Sequence, residues 1–102
     1  MNYRYHRLVQ RDVNDAVAYY EEHASDAVAD GFFEELLAAI EEAAENPTRH
    51  HFLAGSKKLR RANLKRFPFH FLYEIRSGTI YIVVVRHHRR HPRFGMRRKR
   101  SG

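Results

Sequence analysis

The stretch FPFHFLYEIRSGTIYIVVVRHHRRHP, residues 67–92, decides the fold. Two β-type runs, one rich in aromatics and one in Ile and Val, flank Ser77-Gly78, which predicts a tight hairpin. Counting outward from the turn sets Arg76 opposite Thr79, Ile75 opposite Ile80, Tyr73 opposite Ile82 and Phe71 opposite Val84. Side chains alternate across a strand, so each face collects every second residue. One face is then Phe69, Phe71, Tyr73, Ile75, Ile80, Ile82 and Val84, almost wholly apolar and in need of a cover. The other is His70, Leu72, Glu74, Tyr81, Val83, Val85 and His87, a mixture of apolar and titratable groups suited to a partner or to chemistry.

The cover is expected from upstream. Tyr3–Val9 reads as a first strand. Asp12 is placed as a helix N-cap with Asp15 in the first turn, where carboxylates suit the positive end of the dipole. Val13, Ala16, Val17 and Tyr20 make a single apolar stripe ending near His23-Ala24. Ser25 and Asp26 restart a helix, with Phe33, Leu36, Leu37, Ile40 and Ala44 on one face and Glu34, Glu35, Glu41, Glu42 and Glu45 on the other. Gly31 weakens this helix by about 1 kcal/mol against Ala and is expected to admit the first helix closely. Asn46-Pro47 stops it.

Residues 47–58 read as a loop. LRRANLKRF, residues 59–67, reads as a strand with Ala62 and Leu64 inward and Arg61, Asn63 and Lys65 outward. The order β-α-α-β-β-β predicts an α+β fold, a helical hairpin packed on one face of a small antiparallel sheet, with strands 69–76 and 79–86 central. With one face covered, Val83 and Val85 are expected to lie partly exposed beside arginines, as a docking surface does. Residues 1–94 are assigned to one domain and 95–102 to a basic tail.

At 102 residues the chain suits one domain with one core. No stretch has the apolar length to span a bilayer, and MNYRYHRLV lacks the apolar run of a signal peptide. Without cysteine there is neither a disulfide framework nor a thiolate metal site, and a cytoplasmic protein is the simplest expectation. The net charge of +7 hides a division. Residues 1–46 hold three Arg against eleven Asp/Glu, a net of −8; residues 47–102 hold sixteen Lys/Arg against Glu74 alone, a net of +15. The C-terminal half is thus suited to a polyanion or an acidic protein. Arg97-Arg98-Lys99-Arg100 alone reads as a solvated tail, whereas arginines among strand residues are held in place by the sheet.

Several segments, taken in order, carry a resemblance. Asp12-Val13-Asn14-Asp15-Ala16 is followed by Tyr19-Tyr20-Glu21; Phe32 or Phe33, with Leu36 and Leu37, runs to Asn46-Pro47. Arg60-Arg61 and Leu64 lead to Phe67-Pro68-Phe69 and Tyr73, and the series closes on His87, Arg89, Arg90 and Pro92. Over residues 3–94 this order resembles the RelE/ParE superfamily of toxins from type II toxin–antitoxin modules, closer to its ParE-like branch. That branch commonly closes its motif with an aromatic residue, often Trp; here Gly95 stands there beside Phe94. The resemblance implies a growth inhibitor of a plasmid-stabilisation or stress module, without cofactor. It also implies a cognate antitoxin that wraps the chain with a segment that folds on binding. In the ParE-like branch the implied target is DNA gyrase; in the RelE-like branch the implied activity is cleavage of mRNA at the ribosome.

The residues bear on that choice. Metal-free RNA cleavage needs a base, an acid and fixed cations. Arg61, Lys65, His70, Glu74, Tyr81 and His87 share the outward face, with Arg89 and Arg90 just beyond. Glu74 or His87 is the candidate base, His70 or His87 the acid, and Arg61 with Arg90 the phosphate clamp. The candidate catalytic set is therefore Arg61, Glu74, His87 and Arg90. The plainer alternative pairs Glu74 with Arg61 or Lys65 across the sheet. A gyrase inhibitor needs only a rigid docking surface for target or antitoxin, for which Arg61, Lys65, His70, Tyr81, Val83, Val85, His87, Arg89 and Arg90 are the candidates. His87, His88 and His91, with His50-His51, lack the helix that would make a four-residue spacing a ligand pair, and no metal is expected. A non-toxic basic binding module is a third class, although neither helix is basic enough to read DNA.

Overall fold

In the computed structural model, residues 1–99 are described; Arg100, at the end of the basic run, lies outside them. The elements are β1 (Asn2–Tyr5), α1 (Val9–His23), α2 (Asp26–Glu45), β2 (Arg60–Asn63), β3 (Phe69–Arg76) and β4 (Thr79–His87). The order is the expected β-α-α-β-β-β, and β4 and β3 are central in a sheet ordered β1-β4-β3-β2. β3 pairs antiparallel with both β4 and β2, while β1 joins β4 in parallel, so the sheet is mixed. A parallel neighbour needs a crossover, and the helical hairpin with β2 and β3 supplies it.

The turn forms for a local reason. Ser77 and Gly78 both take positive φ, 48° and 73°, the requirement of a type I′ turn, whose twist matches the strands it joins. From there Arg76 faces Thr79, Ile75 faces Ile80 and Tyr73 faces Ile82, as counted from the sequence. Beyond this the register slips. Leu72 faces Val84 and Phe71 faces Val85, so Val83 is an extra residue in β4. A bulge of one residue sends everything beyond it to the opposite face. Phe71, Tyr73, Ile80 and Ile82 lie in the helix-covered core as expected, but Val85 joins them in place of Val84.

The two helices supply the cover. Val9, Val13 and Ala16 of α1 and Phe32, Leu36, Ile40, Ala43 and Ala44 of α2 complete the core. The α2 stripe is rotated from the expected one: Phe33 and Leu37 are exposed at 48% and 40%. Phe32 wins because it nests among Tyr20, Phe67 and Phe69, with ring centroids 4.9–5.5 Å away. Gly31 faces Arg66 and Phe67 rather than α1. Ser25 caps α2 by accepting the Val28 N–H at 3.1 Å, and Asn46 ends it.

The start of α1 also departs from expectation. β1 ends at Tyr5 and the helix begins at Val9, which puts Asp12 inside the first turn rather than at the cap. Asp12 is buried, and its carboxylate bonds elsewhere. It accepts the Val85 N–H at 3.1 Å and two Arg98 N–H groups at 2.6 and 2.8 Å. Arg98 also donates to the Val83 carbonyl at 3.2 Å. Strand β1 stops opposite Ile82. The backbone groups of β4 beyond it are therefore met by an ion pair instead of a strand.

Candidate functional site

The bulge decides what the uncovered face of the sheet presents. His70, Leu72 and Glu74 of β3 stand there as expected. They are joined by Val84 and Arg86 rather than by Val85 and His87, which pass to the helix side. The C-terminal segment then covers the far end of this face. Gly95, at φ +81°, lies so close to Val84 that an added Cβ would stand 2.6 Å from its methyl carbon. Arg86 donates from Nη1 to the carbonyls of Pro92 and Phe94 at 2.8 and 2.9 Å. The expected exposure of Val83 and Val85 is accordingly corrected: they are 8% and 2% exposed. Tyr81 and His70 are buried as well, so burial takes all four off the accessible surface.

Arg86 and three further basic side chains converge. Arg86 Nε donates to His70 Nε2 at 2.9 Å; His70 Nδ1 meets His88 Nδ1 at 3.0 Å; Arg61 Nη2 meets the same His88 nitrogen at 3.3 Å. The two imidazoles stack, 14° from parallel. Burial, and then the charge of Arg61 and Arg86, pushes His70 down to about 3. Burial and Arg61 lower His88. Each ring accepts a hydrogen bond from a guanidinium, which requires it neutral, and the bonds fix the tautomers. Arg86 occupies His70 Nε2, so the His70 proton is on Nδ1 and points at His88; His88 carries its own proton on Nε2. The acceptor nitrogen of each ring is already used, which leaves neither as a ready base. Arg61 is held further by its Nε–H on Asn63 Oδ1 at 2.8 Å.

The other candidates stand apart from this cluster. Glu74 pairs with Arg76 at 2.7 Å, not with Arg61 or Lys65, because residues two apart share a strand face. His87 lies on the helix side, edge-on to Phe69 at 5.2 Å, with Nδ1 accepting the Arg89 N–H at 3.0 Å. Arg90 lies over the Phe94 ring at 3.9 Å. His87 and Arg90 line a groove of about 440 Å³ with Asp15, Tyr19 and Phe69. Lys65 is exposed on the loop after β2. Its backbone N–H is anchored by Glu35 at 2.7 Å, and the same carboxylate takes Arg66 Nε at 2.8 Å. The catalytic quartet is thus divided: Arg61 and Glu74 belong to the outer face, His87 and Arg90 to the groove beside α1.

Two members of the basic cluster escape the sequence reading: Arg86 altogether, and His88 except as a rejected metal ligand. One signal was available. Strict alternation carries the apolar face from Val84 to Arg86, and so predicts a guanidinium beneath the helices. Such a buried charge is costly enough to imply a register slip before it.

The likenesses to known proteins agree with this architecture. Residues 3–92 match a family described as the ParE toxin of the type II toxin–antitoxin system, parDE. Among solved structures, one described as a chromosomal ParDE TA system from P. aeruginosa superposes with a TM-score of 0.76 at 14% identity, over 85% of this chain and 95% of that one. At that identity the likeness is one of fold. No curated relative matches the sequence.

Proposed function

The chain belongs to the ParE toxin family, and we propose that it is the growth-inhibiting half of a plasmid-stabilisation or stress module, held inactive in the cytoplasm by a cognate antitoxin and acting by binding DNA gyrase. The separation of the candidate acid–base groups carries the preference for binding over cleavage. Glu74 is engaged by Arg76, His87 faces the helices, and the imidazoles beside Arg61 have spent their acceptor nitrogens. In-line attack on a phosphodiester needs these groups within hydrogen-bond reach of one phosphate.

What the fold leaves accessible is a basic rim. Arg61, Lys65, His87, Arg89 and Arg90 follow the end of the sheet and the loop after it, without the valines first assigned to that surface. Such a rim suits a large acidic or nucleic-acid-bound target, which it attracts over a Debye length as well as at contact.

Induction of the chain in cells, with plasmid supercoiling and mRNA integrity followed together, tests this. Supercoiling should be lost while translated messages stay intact, and co-expression of a cognate antitoxin should restore growth. Glu74→Gln should remain toxic. Rapid cleavage of translated mRNA with supercoiling untouched would overturn the proposal in favour of ribosome-dependent cleavage.

A further inference from the structure

Arg86 is 6% exposed, yet no carboxylate of the described residues pairs with it. Among the described residues the ion pairs involve Arg49, His50, Arg66, Arg76 and Arg98, never Arg86 or Arg61. Arg61 lies close enough to depress the Arg86 pKa, alongside the larger effect of burial. Among the described residues, two permanent cations therefore share one corner of the sheet with two neutral imidazoles and no anion. Buried guanidinium is ordinarily paired, and leaving it unpaired is costly. The contrast with Arg98, whose side chain is 9% exposed, is direct: Arg98 has Asp12.

The hydrogen bonds also give this corner a direction. Arg86 fixes His70, His70 fixes His88, and the last ring is left with its N–H on Nε2, on the side away from the network. His88 is exposed and Arg61 half-buried, so both offer donors that a ligand can reach. Arg86 and His70 beneath them are held by packing and by two carbonyls, and need no reorganisation when an anion arrives. Preorganised N–H donors over a fixed positive charge are the elements of an oxyanion site.

We propose that Arg61 and His88, backed by Arg86, form a binding site for a phosphate group. Two cations with both rings neutral match a phosphate more closely than a single carboxylate. The site holds and does not cleave, since none of its four side chains is free to take a proton. The site shares Arg61 with the basic rim but does not rest on gyrase inhibition, because that reading requires only a surface. The phosphate can belong to a nucleic-acid backbone or to a small phosphorylated molecule.

The test titrates inorganic phosphate, acetate and a short single-stranded oligonucleotide separately into the full chain, reading imidazole nitrogen signals of His70 and His88 by NMR. Phosphate should shift both rings saturably, and acetate should not. Arg61→Gln should weaken phosphate binding by about tenfold or more, the loss of one charge-assisted hydrogen bond. His88→Ala should weaken it in the same direction. Arg4→Gln, on the exposed edge strand, removes the same charge elsewhere and should leave the affinity within about twofold. An oligonucleotide that competes with phosphate and is weakened by Arg61→Gln assigns the phosphate to nucleic acid. One that fails to compete assigns it to a small molecule. No saturation with phosphate, equal shifts with acetate, or equal losses in Arg61→Gln and Arg4→Gln would overturn the site, whatever the supercoiling assay shows.

Discussion

Gly95→Ala should damage this protein more than its conservative chemistry suggests. At φ +81° an alanine sits in the left-handed region, which costs roughly 1–2 kcal/mol. The added Cβ would also stand 2.6 Å from Val84 Cγ2 and 2.7 Å from Val84 Cβ. Turning the valine moves its methyls but leaves its Cβ in place on a central strand. Relief requires the chain around Gly95 to withdraw, a form of overpacking that costs about 1–3 kcal/mol. Together these give roughly 2–5 kcal/mol, against a total of about 5–15 kcal/mol for a domain of this size. Gly55→Ala is the internal control: its φ is +82° but nothing lies within 4 Å of the new atom. It should lose only the backbone part. Urea unfolding of both variants beside the parent measures the difference, expected at about 1–3 kcal/mol. Equal losses would refute the close packing of the C-terminal segment on Val84.

Other outcomes follow from the same contacts. Asp12→Ala leaves Arg98 buried without its partner and should cost about 3–5 kcal/mol in the same unfolding assay, with part recovered by adding Arg98→Met. Stability should fall on acidification from about pH 6.5 towards pH 3: His70 stays neutral in the fold down to about 3, while the unfolded chain takes up the proton near its ordinary value. One such group contributes a slope of up to about 1.4 kcal/mol per pH unit, and His70→Gln should flatten the profile between pH 6.5 and 5 in calorimetry. Ser25→Ala removes the cap on Val28 and should cost about 1 kcal/mol by thermal unfolding.

Much of the architecture could be read in advance because its signals were local. Ser77-Gly78 fixed the hairpin, Asn46-Pro47 stopped the second helix, and Ala62 and Leu64 turned inward as their alternation required. The losses had physical causes too. In Val83-Val84-Val85 every residue is apolar, so a one-residue slip leaves no mark in composition. Phe32-Phe33 and Leu36-Leu37 are adjacent pairs about 100° apart on a helix, and only the aromatic nest around Phe32 selects between them. Asp12 before an apolar run looks like a cap, but its true partner, Arg98, is 86 residues away. The segment after Pro92 had no period to read, since carbonyls on Arg86, a single glycine and one ion pair hold it. The candidate site suffered most, because the slip exchanged His87 for Arg86 at its centre.

Every assignment on the outer face depends on the extra residue at Val83. Nuclear Overhauser contacts in a methyl-labelled chain measure it directly. Val84 methyls should show contacts to Gly95 and Leu72, and Val85 methyls to Ala16 and Phe71. Val84 methyls in contact with Phe71 and the helices, with Gly95 remote from the sheet, would contradict the register and with it the placement of Arg86 in the basic cluster.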